Sequence, residues 1–339
     1  PASMNYGVLA WFEGRMVTVP PTLFTRKKPN QIAIDDYRIK PPYQAKPVKS
    51  NDLEVAPDFV DIDCLVRFTE QAIKWLDRQA AAARNGKPFM LYLSHTSPHK
   101  PVIPLNRFRG QGDAGAYGEF MIETDWHVGR VLDWLDENKL ADNTIVVFTS
   151  DNGPENTWRK RNEKFGHQSN GIYREGKRSI YEGGHRVPFL VRWPAKVKAG
   201  SRWEQPVCQT DLLATFAEML GKNLSDNAGE DSVSFYRALT GENAPQRLAM
   251  IHHGMQGRYA IREGQWKLIM EGGRRAAKPE LYDLSADPGE KNDLIVKHPK
   301  VAKSLAKRIT EIIQNGRTTP GQPQPNDTPP WKDLVWMVD

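Results

Sequence analysis

Apolar residues recur at helical spacing in four parts of the chain, with short apolar runs between them. In the first part they follow one another at steps of three and four residues until Gly86 and Pro88 end the pattern, which predicts a helix with one buried face. The four predicted helices cover residues 58–84, 115–138, 209–221 and 298–314. The apolar runs predict buried strands at 88–94, 144–150 and 187–194.

Strands that alternate with long helices favour an α/β fold, in which a mostly parallel sheet is sandwiched by helices. After about residue 245 the pattern changes to four short strands close together, which predicts a small antiparallel sheet. We therefore expect three parts: a large α/β domain over 1–245, a subdomain of antiparallel sheet plus helix over 246–315, and a Pro-rich tail over 316–339.

The composition is that of a globular protein with a moderate positive charge. Of the 339 residues 39% are apolar, and no apolar stretch approaches the roughly 20 residues that a membrane-spanning helix needs. Neither a membrane span nor a signal peptide is predicted within the sequence. The net charge of +6 suits an anionic substrate. Because the basic residues are spread along the chain, without the aromatic-interleaved stripe of a nucleic-acid interface, no nucleic-acid partner is expected.

Asp151 and Asn152 follow directly on a predicted strand, in the segment FTSDNGPE. Ligands of open α/β sheets bind at the carboxyl ends of the strands, and both side chains offer oxygen, the donor that calcium and magnesium prefer. Gly153 allows the backbone to turn without a side chain in the way. The pattern indicates half of a metal site. The alternative is a polar turn that caps the strand, because Asp-Asn-Gly is a strong turn signal.

Two further segments carry side chains suited to proton transfer or anion binding. His99 lies between Pro98 and Pro101, which exclude a helix with paired zinc ligands and leave a histidine in a stiff loop. Such a histidine can donate a proton near neutral pH, although a loop histidine is more often structural. Lys177 lies in GIYREGKRS, which is close to a phosphate-binding loop but has Arg178 where Ser or Thr should hold magnesium. The lysine either binds an anion as a point charge or is solvated.

Six segments occur in an order that resembles the arylsulfatase-type sulfatases of the alkaline phosphatase superfamily. They are PFMLYLSHTSPHKPVIP, TIVVFTSDNGPE, GKRSIYEGGHRVPFLVRWP, DLLATFAEMLG, YAIREGQWKLI and ELYDLSADPGEKNDL. The resemblance covers about residues 88–296. It implies an alkaline phosphatase-like fold, with the antiparallel sheet as the family's smaller C-terminal subdomain. It also implies hydrolysis of sulfate esters, either aryl sulfates or sulfated glycans.

The resemblance implies roles for particular residues as well. Asp151 and Asn152 match the family's second pair of metal ligands, usually for Ca²⁺. His99 matches the histidine that contacts the sulfate and protonates the departing alcohol oxygen. Lys177 matches the lysine that binds the sulfate and leaving-group oxygens, and His167 is expected to line the substrate pocket. In this arrangement a cation and a lysine spread the charge of the sulfuryl group while an acid neutralises the alkoxide.

One part of the family's catalytic machinery has no match in the sequence. Family members carry a Cys or Ser in a C/S-x-P-x-R motif that is oxidised to formylglycine, the nucleophile, and no cysteine or serine here stands in that motif. The paired aspartates that complete the calcium site have no match either, and Asp35-Asp36 is expected to be a surface turn. We therefore expect residues 1–245 to be a sulfatase catalytic domain without its N-terminal portion, and this chain alone to be inactive.

Two other functions stay open at the level of the sequence. A non-catalytic homologue would bind a sulfated ligand through the surface around His99 and Lys177. A phosphodiesterase or phosphonate hydrolase relative would share the scaffold, although YEGGHRVP and YDLSADPGE favour the sulfatase. The resemblance implies a sulfated small molecule or glycan as partner, and a periplasmic or extracellular location.

Overall fold

The computed structural model describes residues 7–25, 43–273, 276–326 and 332–337. The predicted surface turn at Asp35-Asp36 lies outside them. The chain divides into unit 1, which comprises 1–144 and 155–169, and unit 2, which comprises 145–154 and 170–339. Unit 2 includes the residues on both sides of the domain boundaries predicted at 245 and 315. These boundaries stay a prediction. In the part of the chain that the structure describes, no helix is long and apolar enough to cross a membrane.

Unit 1 is built on two long helices that pack against each other. Helix α1 covers Cys64–Arg84 and α2 covers Gly115–Glu137, close to the predicted spans. Trp134 Nε1 donates a hydrogen bond of 2.8 Å to Asp77 Oδ1 and ties the two helices together. The smaller elements of the unit are β1 (Phe12–Glu13), β2 (Met16–Val17), β3 (Leu23–Thr25), β4 (Leu53–Val55) and α3 (Trp158–Phe165).

The segment predicted as a buried strand at 88–94 does not pair with another strand in the described part of the chain. Its side chains alternate in exposure as those of a strand do, but Met90 and Tyr92 are 74% and 84% exposed. An extended segment needs a neighbouring strand for its backbone hydrogen bonds, and an apolar run carries no information about that neighbour. The prediction of a buried strand is wrong for these residues.

The described residues of unit 2 form two antiparallel sheets. In the first, β5 (Val146–Thr149) pairs with β6 (Phe189–Arg192). The second is the predicted C-terminal sheet, which is confirmed, and its strand order is β10-β9-β8-β7. Its strands are β7 (Met250–His253), β8 (Tyr259–Glu263), β9 (Trp266–Ile269) and β10 (Glu280–Asp283). The helices of the unit are α4 (Asp211–Met219), α5 (Tyr236–Thr240) and α6 (Pro299–Asn315).

The core of unit 2 lies between α6 and the C-terminal sheet. Leu305, Ile309 and Ile312 of α6 pack on Ile261 and Leu268 of the sheet, and all five are buried. The mostly parallel sheet of the prediction is not formed among the described residues, because all ladders between their strands are antiparallel. A parallel ladder needs a second strand that runs in the direction of β5, and its neighbour β6 runs the other way.

Candidate active site

Three glycines allow the loop after β5 to pack directly against two other loops of unit 2. Gly153 N donates a hydrogen bond of 3.0 Å to Gly184 O, and a Cβ on Gly153 would lie 1.8 Å from Gly183 O. A Cβ on Gly183 would in turn lie 2.3 Å from Glu175 O. The glycines of DNG and EGG are therefore required because backbones approach closely, and not only because the chain turns.

This packing brings the backbone of Lys177 against the loop that carries Asp151 and Asn152. Lys177 N donates a hydrogen bond of 2.8 Å to Pro154 O, and the lysine is half-buried. Asp151 is exposed, and within the described ranges its carboxylate makes no hydrogen bond or ion pair. The carbonyl of Asn152 accepts a hydrogen bond from Ser150 Oγ over 3.3 Å. Adjoining loops therefore carry two oxygen-bearing side chains and an ammonium group.

We expect Gly153→Ala to destabilise unit 2 and to displace this loop. The added methyl group would overlap Gly183 O, a backbone atom that cannot shift alone, and overpacking of this kind costs about 1–3 kcal/mol or more. Urea denaturation followed by tryptophan fluorescence measures the change. Gly129→Ala is the matched control, because a Cβ there meets no atom within 4 Å and the residue lies inside α2, where alanine is favoured. Equal stability of both variants would contradict the packing argument.

Glu182 is the centre of a buried charge network that joins this loop to the C-terminal sheet. Lys267 Nζ lies 2.9 Å from Glu182 Oε1 and 2.8 Å from Glu290 Oε1, and all three side chains are buried. The other Glu182 oxygen lies 3.6 Å from Arg186 and 3.7 Å from Arg262. The sequence does not reveal the contacts of Glu182 with Lys267, because a lysine within an apolar strand gives no sign of its partner.

The two carboxylates of the network are shifted in opposite directions. Burial raises the pKa of Glu182, but the hydrogen bond with His185 and the charge of Lys267 outweigh it and hold the pKa well below its usual range. Burial also raises the pKa of Glu290, and there Lys267 offsets the effect only in part. Of the two carboxylates, Glu182 is therefore the one whose ionised form the network stabilises.

Three possible metal ligands of the network come together around Glu182. Glu182, His185 and His252 each offer a ligand atom within 4.8 Å of the others. Lys267 already lies against the Glu182 oxygen that faces His185, and the two histidine rings stack 3.8 Å apart at 19°. Nearly parallel rings cannot both direct an in-plane nitrogen lone pair at one ion. We interpret the group as structural.

In unit 1, His99 lies in an irregular turn, as its flanking prolines predict. Its Nδ1 is 2.7 Å from the carbonyl oxygen of Lys100. Because a carbonyl only accepts, Nδ1 is protonated and donates this hydrogen bond. A proton given to a leaving group would then come from Nε2 of the imidazolium ion. Lys100 is itself buried, with Nζ 3.7 Å from Glu155 Oε2.

His167 lies beside a buried arginine of the same unit. Its ring centroid is 5.8 Å from that of Tyr117, and the Arg161 guanidinium stacks 3.8 Å from the same tyrosine ring. Arg161 also donates hydrogen bonds to Ser169 and Thr157. Burial lowers the pKa of His167, and the charge of Arg161 lowers it further. A neutral histidine near a buried cation suits the wall of an anion pocket, and this role of His167 stays a prediction.

His95 and His127 form a histidine pair that the sequence does not predict, in which His127 is buried and His95 is half-buried. Their ring centroids are 6.3 Å apart, and none of their ring nitrogens has a hydrogen-bond partner in the described part of the chain. Burial, with a smaller contribution from His127, lowers the pKa of His95 to about 4. The two residues lie on different elements, so no local pattern reveals the pair.

We expect His95 to make the stability of unit 1 depend on pH. The unfolded chain binds a proton at this residue near pH 6.5 and the folded chain only near pH 4. The free energy of unfolding is therefore unaffected above about pH 6.5 and falls as the pH drops towards 4. His95→Gln should remove about 1–3 kcal/mol of that decrease. Urea denaturation at about pH 7.5 and about pH 4.5 tests this. The same pH dependence in both proteins would refute it.

The sequence matches the sulfatase family over residues 37–222 and the family described as N-sulphoglucosamine sulphohydrolase, C-terminal, over 171–315. The first match covers more than half of the chain and includes all the predicted site residues. The chain therefore belongs to the sulfatase family.

Relatives with known names agree with this assignment. The chain is 37% identical over 242 residues to the N-acetylgalactosamine-6-O-sulfatase of Bacteroides thetaiotaomicron, a match that covers 67% of this chain and 47% of the relative. It is 28% identical over 300 residues to the steryl-sulfatase of Homo sapiens, with 80% and 50% covered. The chain thus spans about half the length of these relatives.

A solved structure from work on glycosaminoglycan metabolism by Bacteroides thetaiotaomicron has the same fold. It superposes with a TM-score of 0.69 at 33% identity, over 77% of this chain and 57% of that chain. The predicted α/β class, of the alkaline phosphatase type, is therefore confirmed at the level of the fold.

Proposed function

We propose that the protein to which this chain belongs hydrolyses sulfate esters of sugars. The observation that carries the proposal is the hydrogen bond from Lys177 N to Pro154 O, which holds the lysine loop against the Asp151–Asn152 loop in a chain of the sulfatase family. Charge-stabilising groups that are fixed in advance favour a transition state in which negative charge develops. A sulfuryl group leaving an alcohol oxygen is such a case.

Asp151 and Asn152 fit a calcium ion in the kind of donor that they offer. Both supply hard oxygen ligands, and the Asp151 carboxylate has no protein partner among the residues that the structure describes. Calcium takes roughly six to eight oxygens, so these two residues would supply only part of its shell. When bound, the ion would polarise a sulfate oxygen.

The other residues of this chain would act on the two ends of the ester bond. Lys177 would bind oxygens of the sulfate and of the leaving group as a point charge. His99, oriented by its Nδ1 hydrogen bond to Lys100 O, would donate a proton from Nε2 to the departing alcohol. The formylglycine nucleophile of the family would come from residues outside this sequence, since no C/S-x-P-x-R motif occurs in it.

A sulfated sugar is the substrate class that the comparisons support best. The relative named for a sulfated amino sugar is 37% identical over 67% of this chain. Steryl-sulfatases reach 43% and 38% identity only over 40% and 57% of the chain, and 28% over 80% of it. A phosphodiesterase or phosphonate hydrolase function is not favoured, because the named relatives are sulfatases. Export to a periplasmic or extracellular space would give the enzyme access to such glycans.

We expect the purified 339-residue chain to release no sulfate from N-acetylgalactosamine 6-sulfate or from 4-nitrophenyl sulfate. The reason is that the sequence provides a proton donor, an anion-binding lysine and part of a metal site, but no nucleophile. Ion chromatography of released sulfate measures this. Turnover by this chain that Lys177→Ala abolishes would overturn the assignment of the nucleophile to another segment.

A further inference from the structure

A cleft in unit 1 brings two guanidinium groups against one indole ring. It lies between α1, α2 and the turn Asn106–Phe108, and its volume is about 450 Å³. Ligand sites of proteins commonly have volumes of about 300–1,000 Å³. None of the residues that line it belongs to the candidate active site described above.

Arg107 and Arg130 both lie on the ring of Trp126. The guanidinium carbon of Arg107 is 3.7 Å from the ring centroid, and that of Arg130 is 5.2 Å from it. Neither guanidinium makes an ion pair or a hydrogen bond with the described residues. Stacking on an aromatic face holds an arginine in place and leaves its N–H donors available. Guanidinium groups that are held in place and unpaired among the described residues are the kind of donor that binds an oxyanion.

The remaining walls of the cleft select a larger ligand than a free anion. Ile62, Val66 and the indole, which is 37% exposed, present apolar surface that suits the C–H face of a sugar ring. Glu70 and Asn106 offer oxygens that can accept hydrogen bonds from hydroxyl groups. A free inorganic anion would leave this apolar wall uncovered.

We propose that this cleft binds a sulfated sugar unit of a saccharide chain, with its sulfate on Arg107 and Arg130. The choice of a saccharide rests on the proposed function, whereas the choice of an oxyanion rests on the two guanidinium groups. The cleft is formed by residues other than His99 and Lys177, so it holds a part of the saccharide that does not react.

Isothermal titration calorimetry of the whole chain with a chondroitin 6-sulfate tetrasaccharide tests the proposal. Arg107→Ala and Arg130→Ala should each weaken binding by about tenfold or more, because each removes a charged hydrogen-bonding partner. Arg78→Ala is the matched control, since Arg78 is an exposed arginine of α1 outside the cleft and should bind as wild type does. Circular dichroism confirms that each variant is folded. In NMR spectra, the indole N–H resonance of Trp126 should shift when the tetrasaccharide is added. The resonance is assigned by its absence from the spectrum of Trp126→Phe.

Several results would overturn the proposal. If unsulfated chondroitin tetrasaccharide bound as tightly as the sulfated one, the two arginines would not be the anion site. If inorganic sulfate bound as tightly as the sulfated tetrasaccharide, the ligand would not be a saccharide. Absence of binding, or the same loss in Arg78→Ala, would exclude the cleft. Binding that is lost in Lys177→Ala but kept in Arg107→Ala would place the ligand at the candidate active site. These results leave the proposed function untouched, because that depends on turnover.

Discussion

Lys267→Met should lower the free energy of unfolding by about 3–5 kcal/mol, the largest effect on stability that we expect in this protein. The methionine would keep the apolar stem but remove the ammonium group that lies 2.9 Å from Glu182 and 2.8 Å from Glu290. Two buried carboxylates would then face each other without the cation between them. Removing one partner of a buried ion pair costs far more than the pair itself contributes, because a charge is left without compensation.

Urea denaturation followed by tryptophan fluorescence measures this effect. Lys307→Met is the matched control, because Lys307 also forms an ion pair, with Glu311, but its side chain is 79% exposed, so the change should stay below about 1 kcal/mol. The double variant Lys267→Met/Glu290→Gln should recover part of the loss, since it removes one of the two negative charges. A loss in Lys267→Met no larger than that of the control would show that the network does not hold the C-terminal sheet to the loop.

Lys177→Ala should lower kcat for sulfate ester hydrolysis by about 10²–10³-fold, the largest effect on activity that we expect. The measurement needs an active protein. For this measurement, the chain is fused to the N-terminal part of a sulfatase relative that carries the C/S-x-P-x-R motif. We call this fusion the joined protein. Lys177 would bind the sulfate and leaving-group oxygens more strongly as charge develops on them, so the loss should fall mainly on kcat and not on KM.

Lys196→Ala in the joined protein is the control for Lys177→Ala. Lys196 is exposed and lies after β6, outside the loops that form the candidate active site, so its removal should leave kcat and KM unchanged. A decrease of similar size in both variants would mean that Lys177 acts only through the general charge of the chain.

Four of the six α-helices in the described residues could be predicted from the sequence, because each of the four buries one face, whereas the sequence does not predict α3 and α5. The spacing that predicts 115–138 and 298–314 gives Gly115–Glu137 and Pro299–Asn315 in the structure. The segment 88–94 could not be placed in the same way, because pairing depends on a partner strand that its own pattern does not specify. Local periodicity therefore predicts the spans of helices better than it predicts which strands pair.

The candidate active site shows the same division between local and long-range information. Asp151, Asn152 and Lys177 lie in short motifs, and their loops are found packed together. The link between Glu182 and Lys267 spans 85 residues, and a lysine among apolar residues of a strand does not indicate a buried ion pair. Linear motifs thus predict residues for the chemistry, whereas the buried network of Glu182 is visible only in three dimensions.

Sulfate release from N-acetylgalactosamine 6-sulfate by the joined protein is the most direct test of the central claim, that this chain supplies the anion-binding half of a sulfatase centre. We predict release by the joined protein, none by either part alone, and a loss of about 10²–10³-fold in Lys177→Ala. A folded joined protein that releases no sulfate, or one whose activity is unchanged by Lys177→Ala, would contradict the claim.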